Sequence, residues 1–347
     1  MSPFDPVPSR DRLLTLIDAM EDQPVLMVVD LVIDRFITGT PKRISREAPV
    51  LILRWEGDTT TPGGGANAVA NVAALGGRPL PLGIVGRDDA GRALREHFAT
   101  LGVDDRGILD RDDYRTPTKT RILGGARHAL KQQIVRYDIE DHLQLDDADR
   151  DRMLAPLVTW PTPRAAVLSD YGYGTVDPAF VPALRQRLDT DVPVLGDSRY
   201  RLADFRGLDG ATPNAEEAET LLGLPLADDD RTGLEAGGRR LRERLDARFL
   251  LITRGSAGMS LISTDGRAHH IPVHGNDQVA DVTGAGDTVI GTFALALAAG
   301  GSPLEAACLA NYAGGVVVMK MGTATLDRDE LRSAVRRDDR PLDALAD

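Results

Sequence analysis

Short apolar runs separated by turns and helical patterns constrain this chain most. Val25–Val29, Leu80–Val85, Ala165–Leu168, Val192–Leu195 and Phe249–Thr253 are too short for helices and do not alternate with polar residues. Such runs read as strands buried on both faces. Between most of them lie stretches of helical length and periodicity. Strands that alternate with helices build a mostly parallel sheet with a helical layer on each face, so the expected class is an α/β three-layer sandwich. The 347 residues show no short repeat, low-complexity tract or change of composition, so residues 1–347 are expected to form a single domain. Residues 1–23 end in an amphipathic helix, with Leu13, Leu14, Ile17 and Met20 on one face. Open α/β sheets bind ligands at the carboxyl ends of their strands. Asp30 and Asp34 follow the first strand, and Asp170 and Asp197 follow later ones. Asp34 is a candidate ligand-binding residue. Its plainer reading is a loop residue paired with Arg35 or Arg43.

Two segments, about 36–61 and 112–140, have strand character but no helical pattern to fold them onto the main sheet. Neither is long or apolar enough for its own core, so they are expected to form one β lid. The second carries Lys119, Arg121, Lys131 and Arg136, a dense basic group in an acidic chain. Lys119 and Arg121 read equally well as phosphate ligands and as a solvated strand face. For Lys131 the solvated reading is stronger. A lid that covers a site with one face leaves Ile37, Ile44, Val50, Ile52, Ile122 and Ile134 for the other face. A homodimer through the lid is the expected way to bury them.

The chemistry is concentrated in Asp281-Val-Thr-Gly-Ala-Gly-Asp-Thr288, which runs straight into an apolar helix. A helix N-terminus offers unpaired N–H groups and partial positive charge, and Gly284 and Gly286 remove the side chains that would keep an anion away. Asp287 would repel a resting anion, yet it sits where a base for an attacking hydroxyl belongs. Together they suggest phosphoryl transfer. The plain alternative is an acidic residue favoured by the helix dipole. Earlier, Pro62-Gly-Gly-Gly-Ala-Asn67 opens a helix over 68–75, with Asn67 and Asn71 on one face. Both can donate and accept, which suits a polyol. Asn214 and Glu217 have the spacing of a capping box, which alone explains them structurally.

Both glycine segments closely resemble the two signatures of the PfkB, or ribokinase-like, carbohydrate kinases: Pro62 to Gly76, and Asp281-x-Thr-Gly-Ala-Gly-Asp287 with Gly291. The resemblance implies a ribokinase-like fold with a small β lid and ATP-dependent phosphorylation of a sugar. It makes Asp287 the base and Gly284, Ala285 and Gly286 the anion hole. Asp34, Gly64, Gly65, Asn67, Asn71, Lys119, Arg121, Arg136 and Asp170 become the sugar site. Asn214, Glu217, Thr253, Arg254, Gly255, Gly258, Thr283 and Asn311 become the nucleotide site. Glu217 is the residue implied for Mg²⁺, and dependence on a monovalent cation is left open.

Within the family the chain most resembles the heptose-7-phosphate kinases. Asp30-Leu-Val-Ile-Asp-Arg-Phe36, Arg43 to Val50, Thr118-Lys-Thr-Arg121, Leu168-Ser-Asp-Tyr171, Thr212-Pro-Asn214 and Gly322-Thr-Ala-Thr325 carry that likeness. The implied reaction phosphorylates the anomeric hydroxyl to give a 1,7-bisphosphate. The chain departs where those kinases have Gly before the first Asp (here Val29) and lysines in two loops (here Tyr173 and the Ser198-Arg199 pair). It also has extra residues near 124–129. These departures keep another sugar or sugar phosphate open as substrate.

Charge and composition narrow the remaining classes. A net charge of −12 disfavours nucleic acid and anionic membranes as partners. Cys308, the only cysteine, falls in an apolar helical pattern and fits a reducing, cytoplasmic setting. Met1 to Arg12 lacks the apolar core of a signal peptide. A nucleotidyl-sugar transferase would need nucleotide motifs near an early strand, which are missing. A non-catalytic sugar-binding relative would be expected to lack Asp287.

Overall fold

The computed structural model describes residues 8–126, 131–226, 230–275 and 280–338, so residues 127–129 of the extra lid segment lie outside it. Helix α1 (Arg10–Ala19) is capped by Ser9, whose hydroxyl accepts from the Arg12 N–H, and it buries Leu13, Leu16 and Ile17. Leu16 takes the place expected for Leu14, which is only half-buried. The chain continues through β1 (Pro24–Val29), β2 (Leu31–Ile44), β3 (Leu51–Gly64), α2 (Gly65–Ala74), β4 (Arg78–Gly86) and α3 (Asp89–Thr100). Then come β5 (Ile108–Arg111), β6 (Thr118–Gly124), β7 (Gln132–Ile139), α4 (Asp147–Leu154), β8 (Ala165–Asp170), α5 (Phe180–Arg185) and β9 (Val194–Ser198). The last part holds β10 (Gly210–Ala211), α6 (Ala215–Leu222), α7 (Arg231–Leu245), β11 (Phe249–Thr253), β12 (Met259–Ser263) and β13 (Ala268–Ile271). Three helices follow, α8 (Ala285–Ala298), α9 (Pro303–Val317) and α10 (Arg328–Arg337).

Among the described residues the main sheet has nine strands in the order β13-β12-β11-β10-β9-β8-β1-β4-β5. It is parallel from β11 to β5, and β12 and β13 add an antiparallel hairpin at one edge. The apolar runs form strands as read, except that the run from Val192 enters its strand only at Val194. In β1, Val25, Met27 and Val29 enter the core beneath α2, α8 and α9, while Leu26 and Val28 enter the core on the opposite face. Each such side chain contributes about 1.5–3 kcal/mol by leaving water, which fixes the register of the central strand. The three-layer α/β sandwich is therefore present. No helix among the described residues is long and apolar enough to cross a membrane. Cys308 is buried in α9.

The two excursions form one four-stranded sheet, β3-β2-β6-β7. Its register sorts the side chains by face. Asp34 lies opposite Lys119, which lies opposite Asp138, and Phe36, Arg121 and Arg136 form the next same-face row. Ile37, Ile122 and Val135 form a row on the other face, as period-two strands require. Asp34 is thus a strand residue, not a loop residue, because β2 starts only one residue after β1 ends. Helix α2 also begins earlier than expected, at Gly65. Gly64, at φ +52°, turns the chain directly from β3 into the helix, so Asn67 lies inside the first turn instead of preceding it.

Candidate active site

Helix α8 starts at Gly284, whose φ of +77° needs no side chain. A Cβ there would lie 2.5 Å from the Asn67 amide nitrogen, so the turn and α2 are fitted to each other. The Gly286 and Asp287 amides have no backbone partner among the described residues, as expected for the first turn of a helix. Space above Gly286 is open, with nothing within 4 Å of a Cβ built there. Asp281 steadies the loop. Its carboxylate accepts from the Thr283 N–H at 2.9 Å and from the Gly322 N–H at 3.0 Å.

Asp287 is the third residue of α8 and only 2% exposed. Its Oδ1 accepts from the Tyr171 hydroxyl at 2.6 Å and its Oδ2 from the Asn67 amide at 3.2 Å. Burial pushes its carboxyl up to about 7, against the downward pull of those two donors and of the Lys119 charge. A carboxylate of that strength is poised to take a proton near neutral pH. Asn67 also donates to the Gly284 carbonyl at 3.2 Å, and Asn71 donates back to the Asn67 backbone carbonyl at 2.9 Å. Both asparagines are buried, so they are neither caps nor exposed helix residues.

Asp34, on β2, faces the same space. Arg121 reaches it at 2.5 Å while its guanidinium lies over the Phe36 ring. Lys119 is buried, its ammonium makes no hydrogen bond or ion pair among the described residues, and it sits 5.0 Å from the centre of the Tyr171 ring. Burial lowers its proton affinity, and the Asp34 charge opposes that. An unpaired ammonium in such a place is a strong anion ligand. Arg136 is half-exposed and engaged with Asp138, which faces the Lys119 row. Lys131 is held by Glu56 at 2.5 Å and by the Gly39 and Gly125 carbonyls, so its role is to tie strands together.

The glycines of the early segment make room chiefly for the protein itself. A Cβ on Gly63 would strike the Asp34 carboxylate at 2.5 Å, and one on Gly65 would strike Val29 at 2.6 Å. The expected close approach of a ligand to Gly64 and Gly65 is thus preceded by a close approach of β1, β2 and Tyr171.

A cavity of about 700 Å³ opens beside the head of α8. Gly286, Tyr171, Asp197, Arg199, Asn214, Glu217 and Thr253 are among its lining residues. Asn214 and Glu217 form the capping box of α6, with bonds of 2.9 Å in both directions. Burial raises the Glu217 carboxyl and raises that of Asp197 well above the ordinary range. Asp170 lines the cavity too, but Ser198, Arg201 and the Gly172 N–H occupy its oxygens. Arg254, Gly255 and Gly258 shape the turn after β11. The Asn311 amide donates to the Pro272 carbonyl at 2.9 Å, away from the cavity lining.

The sequence reading gave no role to Tyr171 and noted Asp30 only by its place after a strand and Arg199 only by its place in a loop where the heptose kinases carry lysine. Tyr171 follows directly after β8, at the carboxyl end of a parallel strand, and that position was the available signal. Its partner lies 116 residues away, so spacing alone cannot reveal the bond.

The model of the pfkB family of carbohydrate kinases matches residues 24–152 and 189–330. Bifunctional protein HldE of Mesorhizobium japonicum is 38% identical over 346 residues, which is 98% of this chain and 68% of that protein. The protein of the same name from Pseudomonas aeruginosa is 41% identical over 325 residues, 92% of this chain and 65% of that protein. The chain therefore spans about two thirds of the length of these relatives. Among solved structures, Arabidopsis thaliana ribokinase complexed with ribose and ATP superposes with a TM-score of 0.71 at 19% identity, over 91% of this chain and 99% of that one. Phosphofructokinase-2 from Escherichia coli in complex with potassium gives 0.74 at 16% identity, over 92% and 100%. These two show a shared fold, with its large mostly parallel sheet and smaller second sheet. With the match across most of the chain and the identity to its relatives, this chain belongs to the pfkB family of carbohydrate kinases, phosphotransferases that act on a sugar hydroxyl.

Proposed function

We propose that the chain transfers the γ-phosphoryl group of ATP to the anomeric hydroxyl of a heptose 7-phosphate and releases the 1,7-bisphosphate. The supporting observation is the setting of Asp287. It is buried at the head of α8 beside unpartnered amides, and Lys119 faces it from the second sheet. Asp287 takes the hydroxyl proton, and the amides of Gly284, Gly286 and Asp287 meet the charge on the phosphoryl group in transit, while the Ala285 amide is held by the Val282 carbonyl at 3.2 Å. Asp34, Asn67 and Asn71 hold sugar hydroxyls, and Lys119, Arg121 and Arg136 hold the sugar phosphate. The curated relatives are bifunctional by name, and this chain is similar to about two thirds of each, so the heptose assignment rests on likeness to part of those proteins.

The cavity lined by Asn214, Glu217, Thr253 and Gly286 fits the nucleotide, because the open space above Gly286 admits phosphate oxygens to the amides. The carboxylate of Glu217 at the cavity wall suits Mg²⁺, which keeps most of its water and binds mainly to phosphates. Glu217 would hold it through water, and the ion would neutralise charge between the β- and γ-phosphates.

The second sheet acts as a lid that excludes water, which would otherwise accept the phosphoryl group. It exposes Ile44 (59%) and Trp55 (66%), with Val50, Ile134, Val135 and Tyr137. Two lids packed together in a homodimer would cover this surface. A cytoplasmic setting fits these substrates.

A second reading, another sugar phosphate, is favoured by Tyr173, whose hydroxyl is engaged by Glu140, and by Arg199 where the heptose kinases carry lysine. A panel of sugars and sugar phosphates with ATP, followed by ADP release, tests both. Heptose 7-phosphate is expected to give the highest kcat/KM. A clear preference for an unphosphorylated sugar would overturn the heptose phosphate reading.

A further inference from the structure

We propose that the Tyr171 hydroxyl orients the Asp287 carboxylate and sets its strength as a base, and that Asp30 holds Tyr171 in place through the loop that follows β8. This rests on the reading of Asp287 as the base. The bond between Tyr171 and Asp287 is 2.6 Å long and part-buried at the edge of the cavity. The loop that carries Tyr171 is pinned by two carboxylates, of which Asp170 takes only the Gly172 N–H of the loop at 3.0 Å. Asp30, with no exposed surface, accepts the N–H groups of Tyr171 at 2.8 Å, Tyr173 at 3.1 Å and Thr175 at 3.1 Å. On the other side the Tyr171 ring is close enough to Gly64 that a Cβ there would come within 3.3 Å. Lys119 lies over the ring face. The ring is therefore fixed by packing, and its hydroxyl is free to serve a chemical purpose.

That purpose follows from what a donor does to a carboxylate. A hydrogen bond to the charged form stabilises it and keeps it ionised at lower pH. With Oδ1 held by Tyr171 and Oδ2 by Asn67, the orientation of the carboxylate is set before the sugar arrives. The other charged groups facing Asp287 are Asp34, which raises its proton affinity, Lys119, which lowers it, and Asp197 across the cavity. Burial raises the Tyr171 hydroxyl well above its ordinary value, so it stays a donor throughout the working range and does not compete as a base.

The test compares two changes that both keep the ring. Tyr171→Phe removes the donor. The low-pH limb of kcat/KM should move to higher pH, so that the rate at pH 6 falls about tenfold more than the rate at pH 9. The KM for ATP should not change. Replacing Tyr171 with 3-fluorotyrosine, a stronger donor, should move the same limb to lower pH. A merely structural role gives no reason for opposite movements. If the phenylalanine chain melts early, the fluorinated chain carries the test alone. An unmoved limb in both, or movement in one direction in both, overturns the proposal. Asp287→Asn in the same assay separates the two ideas. Near-normal turnover there removes the base itself, whereas lost turnover there with an unmoved limb at position 171 leaves the base standing and removes Tyr171.

Discussion

Asparagine in place of Asp287 should make the protein more stable at alkaline pH while it abolishes most turnover. The carboxyl is pushed from an ordinary 3.8 up to about 7 by burial. At about 1.4 kcal/mol per pH unit, keeping it ionised in the folded chain costs on the order of 4 kcal/mol. Between these values the folded chain keeps a proton that the unfolded chain has lost. Stability from this group therefore falls as pH rises from about 4 to about 7, and the full cost is present above that. Asparagine carries no charge and removes the cost. It still accepts from Tyr171, but its amide would confront that of Asn67, which loses roughly 1–2 kcal/mol of hydrogen bonding. The variant should gain about 2–3 kcal/mol at pH 8 and lose about 1–2 kcal/mol at pH 4. For a chain of this length each kcal/mol is worth roughly 1–2 °C. Melts of the ligand-free wild type and variant across this range should show their difference change sign. A difference that stays flat with pH would refute the claim that Asp287 is a strained, buried carboxylate. Turnover should drop by on the order of 10²–10⁴, the usual worth of a general base.

Asn67→Ala and Asp34→Ala should each weaken sugar binding by about 1–3 kcal/mol and leave ATP binding nearly unchanged, as read by separate titrations. Equal losses for both ligands would return these residues to a structural role. Gly284→Ala forces a Cβ to within 2.5 Å of the Asn67 amide at φ +77°, so kcat should fall at least tenfold; unchanged kcat would show that the turn tolerates displacement. Light scattering at micromolar concentration should give twice the chain mass, and Trp55→Lys should reduce it toward one; a wild-type monomer would remove the lid-mediated dimer.

The legible parts of this chain were those in which one physical cause acts locally. The unalternating runs at Val25 and Phe249 gave buried strands because both their faces meet helices. The capping box at Asn214 and Glu217 formed as its spacing requires. What stayed hidden depends on pairing across long separations. Asp34 had nearby arginines as plausible partners, yet register with β6 sets it opposite Lys119 and lets Arg121, 87 residues away, reach it from the next same-face row. Arg35, next in the chain, points to the opposite face and pairs with Asp58. The two glycine segments stood out in the sequence as candidate anion and ligand loops. Their fit to each other, Gly284 against Asn67 and Gly64 against Tyr171, could be seen only once α2, α8 and the loop after β8 met. Helix α7 and the β12–β13 hairpin also escaped the reading, because the first is strongly charged and the second is short.

On the proposed function, Asp287 takes the proton of an anomeric hydroxyl as that oxygen receives the γ-phosphoryl group of ATP. Phosphorus NMR of ATP, Mg²⁺ and heptose 7-phosphate incubated with the protein tests it in one measurement. The account predicts ADP signals together with a new phosphate resonance coupled to the anomeric proton, with both absent for Asp287→Asn. Free inorganic phosphate alone, a new phosphate on another carbon, or the same product from Asp287→Asn at a similar rate would contradict it.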